Sequence, residues 1–344
     1  MKYLPDRPDR LFLCVSLVVS CVVSAPAQSQ KNGGRPTLAS EDDYHRAMKE
    51  LSNWGRWSKE DELGAANLIT PAKRKQAMAL AKEGVTISLA HDVLQETAPD
   101  SPVKVDRSPT TVNPNGGSDR YNLTGSYHGY SFSHLDALQC HELYQGKGYN
   151  GLTMEEMKAA GGCRMGNINA LKDGVVTRAV LFDATLLPGK AGPNGWLELG
   201  TAIHREDLEA LEKIEHVKVQ PDDIILLYTG RWKRRGAIGP WQLPQDGLAG
   251  YHADVAYFLK DRDVAFLGSD GISDVYPTGF PRSIGSPLHH LAIVALGVTL
   301  FDALDLERAA QKARQSNRWE FLFMASPIRV DMATGSLINP LAIF

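Results

Sequence analysis

Apolar positions recur along this chain in two rhythms. Short runs rich in β-branched and aromatic residues predict buried strands at Val85–Leu89, Val175–Ala184, Ile224–Tyr228 and Val264–Leu267. Late strands are predicted at Phe321–Met324 and Ile328–Val330. Between them the apolar spacing lengthens to the helical period. Thr70 and Pro71 read as an N-cap and a first helical residue, opening a helix to about Lys82 that Gly84 ends. Thr153, with Glu156 three residues on, carries a capping box for a helix to Ala160. Further helices are expected at Glu206–Ile214, Asp254–Leu259 and Leu306–Arg314. Interleaved strands and helices, with strands clustering near the middle, predict an α/β fold with a substantial mixed sheet. From about Glu41 onward no linker, charge block or repeat breaks the pattern, so residues 41–344 read as one domain with an amino-terminal helical extension.

The amino end follows a different rule. Lys2, Arg7 and Arg10 precede an apolar run from Leu11 to Val23, followed by Ser24-Ala25-Pro26-Ala27. A basic start, a short apolar stretch and an Ala-x-Ala site predict a signal peptide over residues 1–27, cleaved after Ala27. The run is short for a membrane span. Val18-Val19-Ser20-Cys21 also resembles a bacterial lipobox, in which Cys21 carries the lipid. Residues 28–40, rich in Gln, Ser, Gly and Pro, read as a flexible leader. The expected location is therefore periplasmic or secreted, with no membrane span left after cleavage.

Composition narrows the partners. The 344 residues are 43% hydrophobic and 22% charged, with a net charge of −3, ordinary for a globular protein. Nothing in that balance favours nucleic acid, whose phosphates call for an excess of Lys and Arg. Cys140 and Cys163 are the only cysteines beyond the signal, so the chain is not a disulfide scaffold. One bridge between them is left open.

The chemistry is concentrated in one run, His128-Gly129-Tyr130-Ser131-Phe132-Ser133-His134-Leu135-Asp136-Ala137-Leu138-Gln139-Cys140-His141. Alternate residues of a strand share a face, so His134 and Asp136 point the same way and can share one metal ion. Imidazole with carboxylate suits Zn, Mn or Fe(II). His141 is out of phase and joins them only if the chain bends between Ala137 and Cys140. Cys140 is in phase, so both stand as the third ligand. Arg231-Trp232-Lys233-Arg234-Arg235 reads as a solvated basic loop, and Asp270 and Asp274 as a turn near the site mouth. No Gly-x-Ser-x-Gly elbow, phosphate loop or dinucleotide fingerprint is present.

Ser133-His134-Leu135-Asp136-Ala137-Leu138, then His141, then Gly146-Lys147-Gly148-Tyr149-Asn150-Gly151, resembles the metal-binding signature of the cyclase and bacterial-type kynurenine formamidase family. Asn53-Trp54-Gly55-Arg56-Trp57, Pro221–Gly230, His289-His290 with Gly297 and Asp302, and Asn339-Pro340-Leu341-Ala342 resemble its other blocks in the same order. The likeness covers about residues 50–344. It implies a mixed, partly barrel-like sheet flanked by helices, of the swivelling β/β/α type. It also implies one divalent ion, Zn or Mn, on His134, Asp136 and His141, with His128 and Cys140 as alternatives. In the family a His lies twelve residues before an acid. His290 and Asp302 match that spacing and are the expected catalytic pair. This chain departs from the pattern in three ways: an extra residue before His141, Tyr130 at a family His position, and Asp302 in place of Glu.

The implied reaction is hydrolysis of a C–N bond in an aryl formamide or cyclic amide by metal-activated water. Trp54, Trp57 and Tyr130 are candidates to line the substrate. A lactone or ester hydrolase on the same site, and a non-catalytic envelope protein binding metal or a small ligand, are the alternatives. Family members are commonly dimers, which implies a homodimer or higher homo-oligomer.

Overall fold

The computed structural model describes residues 38–344. The expected signal peptide and residues 28–37 of the leader lie outside them. Leu38 is already buried, and the Ser40 hydroxyl accepts from the Asp43 amide to cap a helix over Glu41–Glu50. That helix buries Tyr44, Ala47 and Met48 on one face.

A nine-stranded mixed sheet organises the domain. Its strands lie in the order Thr86–Ser88, Leu341–Ile343, Glu320–Ala325, Val175–Asp183, Ile224–Tyr228, Phe266–Ser269, Thr299–Asp302, His134–Asp136 and Gly335–Leu337. The four strands from Val175–Asp183 to Thr299–Asp302 are parallel, and the remaining pairings are antiparallel. Helices at Arg205–Ile214 and Val255–Arg262 serve the crossovers that parallel strands require. Apolar side chains alternate between two cores. Val180, Phe182, Ile225, Leu227, Leu267 and Leu300 face one; Ala179, Leu181, Ile224, Leu226, Phe266 and Phe301 face the other. The α/β class with a mixed sheet flanked by helices is therefore the observed one.

Most expected elements are present with shifted ends. The Thr70 hydroxyl accepts from the Lys73 amide and opens Pro71–Met78. The Thr153–Glu156 capping box is complete at Met154–Ala159. Two readings need correction. Ile328–Val330 is irregular, and the strand there is Gly335–Leu337. The basic run is no solvated loop but the helix Arg231–Ile238. It starts with buried Arg231 and Trp232, and Arg235 pairs with Asp100. The carboxylate of Asp270 accepts the backbone N–H groups of Thr229, Gly230 and Arg231 and so fixes that helix start. Burial pushes the Asp270 carboxyl up to about 6 against those bonds.

Candidate active site

Strand register builds the first half of the site. Asp302 stands opposite His134 across an antiparallel pairing, and Asp136 opposite Gly335. Directly opposed residues share a face, so His134, Asp136 and Asp302 project together. Both Phe301 and Leu135, one residue out of step, pack into the other core. Asp302 also ends its parallel strand, the end at which open α/β sheets place their ligands.

Around Asp136 the structure gathers four imidazoles. Asp136 Oδ1 lies 2.9 Å from His128 Nδ1, 3.5 Å from His134 Nε2 and 3.4 Å from His141 Nε2. Asp136 Oδ2 lies 3.9 Å from His289 Nε2. The rings of His128 and His141 stack at 3.9 Å. His134 donates its Nδ1–H to the Phe132 carbonyl at 2.8 Å, which leaves the Nε2 lone pair turned toward Asp136. Burial would raise the Asp136 pKa, but His141, His128 and His134 outweigh it and hold the carboxyl below its usual range.

His289 completes the cluster from the opposite layer. Its Nδ1 donates to Asp274 Oδ2 at 2.6 Å, and its Nε2 lies 3.1 Å from Asp302 Oδ2. Ser273 donates its hydroxyl to Asp302 Oδ1 at 2.6 Å. Burial lowers the His289 pKa, yet the hydrogen bonds to Asp274 and Asp302 reverse this and raise it well above the ordinary value. The neighbouring His290 turns elsewhere. Its Nε2 lies 3.1 Å from Glu142 Oε2, and the Tyr44 hydroxyl meets its Nδ1 at 2.8 Å. Burial holds the Tyr44 phenol well above its usual pKa, so it keeps its proton beside His290.

The expected residues thus sort plainly. His134, Asp136, His141 and the alternative His128 converge, and Asp302 joins them. His290 does not meet Asp302; His289 does, at the point where the Pro287–His289 turn passes into a seven-residue π-helical stretch, His290–Leu296. Cys140 is joined to Cys163, so its sulfur is withdrawn from ligation and the bridge holds the bend that delivers His141. Tyr130 comes near: like Tyr276 it packs on the Trp241–Leu243–Leu248–Ile272 cluster, and burial with Tyr276 pushes its phenol up to about 12 despite the nearby Arg231 and His289 charges. Trp54 and Trp57 have structural contacts. The Trp54 indole donates to the Val294 carbonyl, and Trp57 packs on the main core with Arg56 over its ring. The sequence pattern gave no sign of Glu142 or Tyr44, and it placed Asp274 in a turn. The one available signal for His289 was its adjacency to His290.

The donor set fits a divalent metal. Two trios, His128–His134–Asp136 and Asp136–His141–His289, each bring their ligand atoms within 4.8 Å of one another, and Asp136 belongs to both. Asp136 Oδ2 is buried without a hydrogen-bond partner, an orphan that a cation would satisfy. Bonds of about 2.1 Å to Zn place neighbouring ligand atoms at about the separations seen here.

A buried imidazole–carboxylate centre at the carboxyl ends of parallel strands defines a metal-dependent enzyme of the α/β class. The Cyclase family matches residues 87–274, and the chain belongs to that family. The matched stretch contains His128 to His141 and Asp274; His289 and Asp302 follow it. A crystal structure described as a novel cyclase is 27% identical, with a TM-score of 0.74, covering 86% of this chain and 99% of its own. Isatin hydrolase bound to the product analogue thioisatinate shares the fold at 16% identity and a TM-score of 0.53, covering 80% and 99%. Isatin hydrolase A from Labrenzia aggregata, bound to benzyl benzoate, does so at 18% and 0.52, covering 79% and 98%. No curated protein matches the chain.

Proposed function

We propose that this protein is an exported, metal-dependent hydrolase of a C–N bond in an aryl formamide or cyclic amide, using one Zn or Mn ion at Asp136. The observation that carries the reading is the buried Asp136 carboxylate, whose Oδ1 is ringed by His128, His134 and His141 and whose orphaned Oδ2 faces His289. Likeness in fold to isatin hydrolase, named for a cyclic amide, favours cyclic amides. The basic and apolar amino end supports export, and family likeness supports a homodimer.

A divalent ion held there lowers the pKa of water toward neutrality and polarises a carbonyl oxygen. His134 and Asp136 are fixed by one strand, and the Phe132 carbonyl sets the His134 tautomer. Asp274 and Ser273 hold His289 and Asp302 in place from the loop after Ser269. Glu142 lies 3.7 Å from His141 and next to His290, so the Glu142–His290–Tyr44 chain is placed to take a proton and return it to a leaving nitrogen. Tyr130 and Tyr276 offer aromatic surface beside His289 for an aryl ring. A lactone uses the same carbonyl chemistry and is the second reading.

Elemental analysis of the purified chain beside His134→Ala tests the proposal. One Zn or Mn per chain fewer in the variant than in wild type, with chelator-sensitive turnover of N-formylarylamines or cyclic amides, is expected. A difference of two ions would mean that both trios fill. A variant that holds as much metal as wild type after reconstitution would sink the reading.

A further inference from the structure

A second imidazole–carboxylate group lies outside the catalytic centre. Ala202–Ile203 and Gly250–Tyr251 form a short parallel ladder, with Ala202 beside Gly250 and Ile203 beside Tyr251. His204 and His252 are the next residues of each strand, so the ladder delivers both rings side by side, centroids 4.4 Å apart. The His252 amide donates to the Ile203 carbonyl and locks that register. Two residues later Asp254 turns back between them. Its Oδ2 lies 2.7 Å from His204 Nδ1 and 3.1 Å from His252 Nδ1. The three ligand atoms fall within 4.8 Å of one another.

We propose that His204, His252 and Asp254 form a separate site for a borderline transition-metal dication such as Zn, Co or Ni. Two imidazoles with a single carboxylate select these ions over Mg or Ca, which prefer all-oxygen shells. The Asp254 amide also approaches His252 Nδ1, at 3.2 Å. His204 Nδ1 and His252 Nδ1 converge on the same carboxylate oxygen, at 2.7 and 3.1 Å, so one ion can take the place of the protons that otherwise join them. Supporting bonds are already built. Asp254 Oδ1 accepts the Arg205 amide, Asp207 accepts the His204 amide, and Phe280 stacks on the His252 ring. Lys190, the nearby ammonium, is paired with Asp207. The His204 side chain is 40% exposed, which leaves an entry path and room for water in the remaining positions. Metal here would tie the start of the Arg205–Ile214 helix to the start of the Val255–Arg262 helix.

The test silences the inner centre first, by removing the one residue that both of its trios share. In an Asp136→Ala background, Co(II) alone is titrated by its visible absorption and counted by equilibrium dialysis. One further ion per chain is expected. Adding His204→Ala, and separately His252→Ala, should weaken it at least about tenfold. Circular dichroism and melting temperature confirm that each variant folds. Co(II) binding that survives both histidine changes overturns the proposal, as does an Asp136→Ala chain that takes no Co(II) at this cluster, which would then hold a proton. Metal at the inner centre is read on the otherwise native chain, so failure there leaves this result distinct.

Discussion

His289 and His290 are neighbours on the chain and serve different partners. His289 lies within reach of Asp136, Asp274 and Asp302, whereas His290 sits behind Glu142 against Tyr44. Removing His289 takes away a ligand and leaves Asp274 and Asp302 without their hydrogen-bond partner. His290→Ala leaves the Asp136 cluster whole. We therefore expect His289→Ala to lower retained metal sharply, while His290→Ala keeps metal close to wild type and loses turnover, about 10²–10⁴-fold for a general acid–base group. Elemental analysis beside steady-state rates separates the two; equal metal loss in both would refute the division of roles. A second residue-scale prediction concerns Glu215, far from this chemistry. Its Oε1 accepts the Asp183 amide at 2.7 Å, and its Oε2 is buried without a partner. Burial pushes its carboxyl from 4.5 up to about 9, so the folded chain keeps a proton that the unfolded chain releases. Its contribution is whole below about pH 4.5 and is lost as pH rises toward 9. Glu215→Gln should thus be more stable than wild type at pH 8.5 and close to it at pH 5. The gain at the higher pH is a few kcal/mol, because each tenfold difference in proton affinity between folded and unfolded chain is worth about 1.4 kcal/mol. Urea unfolding at the two pH values reads this; parallel pH profiles would contradict it.

At the scale of elements, the histidine that enters the site stands where a short helical turn passes into a π-helical stretch. The family resemblance selects His290, twelve residues before Asp302. In the structure His289, just ahead of the π stretch, takes that place instead. The extra residue of this chain follows Asp136, where the Cys140–Cys163 bridge anchors the bend that returns His141. Sequence carried the pairing of His134 with Asp136, because a strand's period of two leaves no choice. It also carried Thr70, Thr153 and most element centres, where capping chemistry is local. It could not carry the π turn, the burial of Arg231 or the irregular path of Ile328–Val330, since each depends on partners distant in the chain. Gly297 ends the π stretch at φ +73°, and a Cβ there would sit 2.7 Å from the Tyr149 ring and 3.1 Å from Gly64 Cα. Gly84 has φ +69° with open space around it. Gly84→Ala should cost only the left-handed strain, about 1–2 kcal/mol. Gly297→Ala adds overpacking of about 1–3 kcal/mol and should disturb His289 at the other end of the stretch. Differential unfolding and metal content of the two variants check this; equal losses would show that the Tyr149 contact yields freely.

Across the whole molecule, the centre is where three separately built parts meet. The sheet brings His134, Asp136 and Asp302, the bridged loop brings His141, and the helical layer brings His289. Without a cation these parts press lone pairs and one orphaned carboxylate oxygen into a buried space. A metal that binds only the folded chain stabilises it by mass action, about 2.7 kcal/mol at a hundredfold excess over the dissociation constant. For a domain of this size that is a rise of a few degrees in melting temperature. Chelation should therefore lower the melting point by that amount, and added Zn or Mn should restore it. His134→Ala should melt at one temperature whether or not the inner ion is supplied. Calorimetry with matched chelator and metal samples makes the comparison, with His204→Ala included so that any ion at the outer cluster does not contribute. If wild type and His134→Ala respond alike to metal, the Asp136 cluster is held by its protons and not by an ion.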